Sequence, residues 1–196
     1  MTQFEPAMMF CMGNEDSTLL GKTTPDPTSA DKNAIARFGI NSAAVPEALT
    51  ENFYGMSRED ALEWAANWYR KNVWEPVSAK FINDQAIASK FFDACVNMGQ
   101  VQATKLLQFA VNDVKGGLDL GVKVDGHIGP DTLRGINSCD AELLMARYKT
   151  RLMSFYSGLV TSDPTKQKYL SGWLARAAKT PSETAASVDM DAQIGG

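Results

Sequence analysis

Histidine is all but missing from this sequence: His127 is the single one in 196 residues. A Ser–His or Cys–His nucleophile would have to be built on it. It stands in a glycine-rich turn with no carboxylate at an orienting spacing, so it reads as a surface turn residue. Cysteine is nearly as scarce. Cys11, Cys95 and Cys139 are odd in number, far apart and without a Cys-x-x-Cys pair, which predicts reduced thiols and speaks against a zinc site. A phosphate-cradling loop is lacking too, since Gly116-Gly117 is not followed by Lys-Ser or Lys-Thr. The chain holds 19 Lys and Arg against 23 Asp and Glu, a net charge of −4. With no basic cluster, a nucleic-acid partner is not expected, nor is attraction to an anionic surface. The apolar runs fall well short of the roughly 20 residues of a membrane span, so no membrane insertion is expected. Met1 to Pro6 carry no positive charge and the apolar Ala7 to Met12 is brief, which reads as synthesis in a cytoplasm without a signal peptide. By inventory, what remains is carboxylate chemistry or none, with neither cofactor nor metal.

What is present is helical periodicity. A hydrophobic content of 44 % is ample for a packed core. Phe4, Ala7, Met8, Cys11 and Met12 predict a short helix over 3–14 that ends at Gly13 or Asn14, with Glu15 just past it. Ser57-Arg58-Glu59-Asp60 is a capping-box type start for a helix running to about Lys71. Ile87, Phe91, Ala94, Cys95 and Met98 form a second stripe stopped by Gly99, and Val101, Leu107, Ala110, Val111 and Val114 a third stopped by Gly116. A short extended piece, 121–124, leads to the turn Asp125-Gly126. Pro130, Asp140 and Asp163-Pro164 then open three more helices. Between Thr18 and Ile40 no helical period exists. Gly21-Lys22 and Pro25-Asp26-Pro27 signal turns, so a small hairpin or sheet is expected there. The fold class is mostly α (α+β), with one small N-terminal β-hairpin.

The polar excursion beside a helix end is where carboxylate chemistry would sit. Cleaving a glycosidic bond needs a carboxylic acid to protonate the leaving oxygen, and a second carboxylate or a positioned water opposite. Glu15 has the position of the donor, fixed by an apolar helix whose C-terminal negative potential favours a protonated carboxyl. Asp26 is the first candidate for the second group, with Asp16 and Asp31 as alternatives, and Thr23 or Thr24 could orient a water. Arg37 could pair with a site carboxylate or grip a substrate carboxyl. Asn97 is an amide suited to a sugar N-acetyl group or a water. Of Trp64, Trp68, Trp74 and Trp173, Trp74 lies outside the clear stripe and is the expected sugar contact.

The order Asn14-Glu15-Asp16, a polar excursion, Ala36-Arg37-Phe38-Gly39-Ile40-Asn41, then Phe92-Asp93-Ala94-Cys95-Val96-Asn97-Met98-Gly99 resembles the N-acetylmuramidases of glycoside hydrolase family 108. Val124-Asp125-Gly126-His127-Ile128-Gly129-Pro130-Asp131-Thr132-Leu133 and Gly172-Trp173-Leu174-Ala175-Arg176 are similar to the predicted peptidoglycan-binding region that follows that part. The resemblance implies a lysozyme-like fold and hydrolysis of the β-1,4 bond between N-acetylmuramic acid and N-acetylglucosamine, with Glu15 as general acid and peptidoglycan glycan strands as partner. It implies a catalytic region over 1–99 and a helical binding region over 100–179 packed on it as one globular unit, while 180–196, rich in Ser, Thr, Ala, Asp and Gly and without aromatics, reads as a flexible tail. It also implies a bacteriophage endolysin: a lysozyme reaching the periplasm and cell wall by holin-dependent access.

Two departures stand out. The family's Glu-Gly-Gly is here Glu15-Asp16-Ser17, and a threonine common shortly before Phe-Gly-Ile is here Ala36. Thr24 or Asp26 could supply from the hairpin the hydroxyl or carboxyl that orients water. Two other readings stand beside the muramidase: a lytic transglycosylase on the same bond, and an inactive wall-binding or phage structural protein.

Overall fold

The computed structural model describes residues 1–15, 21–26, 29–116 and 121–181. Asp16, Pro27 and the tail from 182 onward lie outside them. The fold is mostly α and lysozyme-like, with a three-stranded antiparallel sheet near the N-terminus.

Helix α1 (Phe4–Glu15) buries Phe4, Ala7, Met8, Cys11 and Met12, the expected stripe. It runs further than expected, so Glu15 lies within it, as its last described residue, rather than just past it. The sheet follows, with β1 (Thr24–Pro25), β2 (Ile35–Arg37) and β3 (Ile40–Asn41) in that spatial order. The tight turn joining β2 to β3 is Phe38-Gly39, which the sequence reading did not single out. Both residues are left-handed, with φ of 48° and 74°, the two-residue hairpin geometry that matches strand twist.

Short α2 (Glu47–Thr50) leads to α3 (Arg58–Tyr69), whose cap is the expected one: Ser57 accepts from the Asp60 N–H at 3.1 Å. Instead of stopping near Lys71, the chain continues through a π-helical turn, Arg70–Trp74, which buries both Val73 and Trp74.

Helix α4 (Gln85–Met98) is the axle of the molecule. Every residue from Ile87 to Cys95 is buried, the mark of a helix surrounded on all sides. Gly99 ends it at φ 86°, ψ 150°, a region essentially confined to glycine, and starts α5 (Gln100–Lys115) in the same step. Then come α6 (Pro130–Asn137), α7 (Ala141–Ser162) and α8 (Gln167–Ala178). One continuous apolar core runs from Phe4 in α1 through α4 and α5 to Leu152 and Tyr156 in α7 and Ala177 in α8.

The segment expected to be extended, 121–124, joins no described strand. Asn112 of α5 holds it instead, donating to Val122 O at 2.9 Å and accepting from Val122 N–H at 2.7 Å. Gln108, fully buried, does the same for the next turn. Its oxygen accepts from the N–H groups of Asp125 and Gly126, and its amide donates to Asp125, His127 O and Thr132. His127 is thus an exposed turn residue. The three cysteines are free thiols, Cys11 and Cys95 buried in the core, where loss of solvation pushes both well above the usual thiol range.

Candidate active site

The Glu15 carboxyl lies where α1, the β2–β3 turn and α8 meet. A Cβ placed on Gly39 would come within 3.2 Å of the Glu15 side chain and 2.7 Å of the Tyr69 hydroxyl. Only glycine fits between the acid and that hydroxyl. Tyr69, buried, donates to Phe38 O at 3.2 Å and so fixes the turn against the carboxyl. Phe38 is held at positive φ, a conformation that costs of order 1–3 kcal/mol in a non-glycine residue and persists where surroundings over-determine it.

On its other side Glu15 Oε1 accepts from Arg176 Nη1 at 2.7 Å. The same guanidinium donates to Asp93, through Nη2 at 2.8 Å and Nε at 3.2 Å. Burial works against the Arg176 charge, but Asp93 and Glu15 together outweigh it and hold its pKa above the ordinary arginine value. Asn14, next to the acid, donates to Asp93 at 3.0 Å and accepts from Lys179 at 2.7 Å. Asp93, Asn14 and Arg176 were not singled out as functional residues. The signal available was a polar stripe on a buried helix: Lys90, Asp93 and Asn97 recur at helical spacing on α4, beside an apolar stripe that drew the attention.

Thr24 and Asp26 stand on the sheet. Thr24 pairs with Ala36, which pairs with Asn41 on β3. Directly paired residues project to one face. The Thr24 hydroxyl is therefore presented beside Ala36, the position where the family's threonine is missing. Asp26 Oδ2 accepts from Asn41 Nδ2 at 2.5 Å, which ties the carboxyl across the same sheet. Asp31 is occupied in its own loop, accepting from Asn33 N–H at 2.9 Å, and Thr23 donates to Tyr54 O.

Two expectations change, and a third residue is placed. Arg37 points to the opposite side from Ala36 and is 6 % exposed. Its guanidinium donates to the carbonyls of Gly21, Phe53, Met56 and Ser57 at 2.6–3.2 Å, so it pins the hairpin to the segment before α3 and does not pair with a site carboxylate in these bonds. Trp74 is 4 % exposed, packed edge-on against Phe4 and Phe92, and offers no face to a sugar. The π-turn is the reason, because it rotates Trp74 inward. Asn97 is partly buried and accepts from the Tyr156 hydroxyl at 2.5 Å, which ties α4 to α7.

The indole that does line an opening is Trp68. A groove of about 480 Å³ runs beside Gly39, Ile40 and Asn41, walled by Trp68, Tyr69 and Val73 on one side and by Val96, Gly99 and Gln100 on the other. Gly39 is common to this groove and to the Glu15 contact. A larger depression, about 750 Å³, opens between the end of α5 and α6. Its carboxylates are already engaged, Asp125 with Gln108 and Lys123, Asp131 with Arg134.

Residues 21–99 match the family described as Glycosyl hydrolase 108, and residues 102–178 match the Predicted Peptidoglycan domain. The chain is a glycoside hydrolase. The two matches support a peptidoglycan hydrolase of the glycosyl hydrolase 108 type. The first match opens at Gly21 and so contains Thr24, Asp26 and the Phe38-Gly39 turn but not Glu15, while Arg176 lies within the second. The hydrolase is similar to the solved structure of Brucella abortus SagA, at TM-score 0.59 and 22 % identity, over 89 % of this chain and 92 % of that one. At that identity the likeness speaks for the fold. No curated protein matches the chain. Among the described residues no helix is long and apolar enough to cross a membrane.

Proposed function

We propose that this glycoside hydrolase is an N-acetylmuramidase that cleaves the β-1,4 bond between N-acetylmuramic acid and N-acetylglucosamine, with Glu15 protonating the leaving oxygen. The observation that carries the reading is the placement of one carboxyl, Glu15, beside the Phe38-Gly39 turn whose glycine also lines the groove. A general acid must be held within hydrogen-bond reach of the oxygen it protonates, and a helix end and a hairpin turn supply that hold. On the sheet, Asp26 and Thr24 orient the attacking water or support the oxocarbenium-like transition state, Thr24 standing in for the hydroxyl absent at Ala36. Trp68, which lines the groove, takes the sugar-facing role that the buried Trp74 cannot.

Mass spectrometry of digested, purified peptidoglycan tests the reading. Fragments ending in reducing N-acetylmuramic acid are expected. Anhydro-muramic ends would instead make the enzyme a lytic transglycosylase, and pull-down on peptidoglycan without fragment release would make it a wall-binding protein. Thr24→Val is expected to lower the hydrolysis rate about ten-fold while Thr24→Ser stays close to wild type, as measured by fragment release, because serine keeps the hydroxyl. The endolysin role, with phage origin, cytoplasmic synthesis and holin-dependent access, belongs to the same proposal and rests on the family resemblance. Lysis of cells expressing the chain with a holin, and none without it, is the expected result.

A further inference from the structure

The acid is not completed by the segment that carries the hydrolase match. Its cationic neighbour, Arg176, comes from α8, inside the segment matched as a peptidoglycan domain. Arg176 is also held at both ends by the central helix. Its side chain is fixed by Asp93, which is 2 % exposed, and its backbone carbonyl accepts from Lys90 Nζ at 2.6 Å, with Lys90 1 % exposed. Lys90 and Asp93 sit three residues apart on α4 and therefore one above the other on the same face. Beyond them Lys179 reaches Asn14, so α8 is fastened to the last turn of α1 a second time.

A solvated arginine would not need this. Burying a guanidinium costs several kcal/mol unless it is paired and hydrogen-bonded throughout, and well-packed apolar residues stabilise a fold as well or better. Asp93 engages Nε and Nη2, the rigid edge of the fork, and that leaves Nη1 aimed at Glu15 Oε1. The carboxyl is thus paired with Arg176 and lies beside the Phe38-Gly39 turn. Its remaining oxygen, Oε2, faces the turn, 3.3 Å from where a Gly39 Cβ would stand.

We propose that Arg176, oriented by Asp93, is a positioning residue for the glycosidase reaction, so that the C-terminal segment completes the hydrolytic centre rather than only binding wall polymer. This rests on Glu15 being the acid, and the experiment separates the two claims. The full chain is prepared as wild type, Arg176→Gln, Arg176→Lys and Glu15→Gln. Each is assayed for fragment release over a range of solubilised peptidoglycan concentrations, with thermal unfolding and peptidoglycan pull-down alongside. Arg176→Gln is expected to lose about 100-fold in kcat, the scale of a misplaced reacting group, with KM and pull-down within about two-fold of wild type. Arg176→Lys keeps a cation without the fork and is expected to recover to within about ten-fold of the wild-type kcat, again at unchanged KM. If Arg176→Gln does not fold, the kcat-only loss in Arg176→Lys carries the test. Folded Arg176 variants with wild-type kcat beside an inactive Glu15→Gln overturn the positioning role and leave the acid standing. A loss in Arg176→Lys shared equally by kcat, pull-down and thermal stability also overturns it, since that marks a structural strut. Activity in Glu15→Gln overturns the reading on which the proposal depends.

Discussion

A single missing Cβ decides how close the acid can approach its turn. Gly39 stands at φ 74° with Tyr69 Oη and the Glu15 side chain inside contact distance of any added methyl. Gly39→Ala is therefore expected to act twice. It adds backbone strain of about 1–2 kcal/mol, visible as a lower melting temperature. It also displaces Glu15, which lowers the hydrolysis rate by about 100-fold in a fragment-release assay. Gly13 offers a control in the same region, because its Cβ would meet nothing within 4 Å. At this scale the sequence was partly legible. The place of Glu15, at the end of an apolar stripe and before a polar excursion, was readable. Arg37 misled, since a lone arginine near a carboxylate looks the same whether it grips substrate or, as here, four backbone carbonyls. Arg176 was hidden because nothing in a linear reading brings it to Glu15 across the length of the chain.

Among the elements, helices with caps and stripes were the most legible, for α1, α3, α4, α5 and α7 announce themselves by periodic apolar positions, with Ser57 or Asp140 at the start of two of them. The departures have local causes. The π-turn at Arg70–Trp74 adds a residue to the helical ring and swings Trp74 into the core, an outcome decided by packing and not by propensity. The Phe38-Gly39 turn was overlooked because phenylalanine rarely takes positive φ. The loop after α5 depends on one side chain. Gln108→Leu would fill the space but orphan the N–H groups of Asp125 and Gly126, each worth about 1–3 kcal/mol when left unsatisfied. The expected outcome is a loss of roughly 2–4 kcal/mol in denaturant unfolding.

For the whole molecule, the buried polar stripe of α4 ties the two matched segments together within the apolar core they share. Lys90, Asp93 and Asn97 reach Arg176, Asn14 and Tyr156 from inside the core, and among the described residues no buried side-chain nitrogen or oxygen is left without a partner. This carries a pH signature. Burial lowers the Lys90 pKa to about 8, against the pull of Asp93 and with the help of nearby Lys149, Arg176 and Lys179. Between that value and the ordinary lysine range the unfolded chain binds more protons than the folded one, so the Lys90 contribution to stability rises with pH there and the penalty is full below it. Relative to Lys90→Met, wild type is expected to gain on the order of 1–3 kcal/mol between pH 8 and 10. Urea unfolding of both proteins at each pH measures this. A flat difference would mean the ammonium is as well solvated in the fold as outside it.

The account stands on Glu15, which the hydrolase match itself does not contain. The measurement that tests it most directly is release of reducing N-acetylmuramic acid ends from purified peptidoglycan by wild type and by Glu15→Gln, with matched melting curves. Glutamine keeps the shape and can still meet Arg176, but it has no proton to give the leaving oxygen. The rate is expected to fall by about 1,000-fold or more with the fold intact. Release by a folded Glu15→Gln at the wild-type rate would contradict the account.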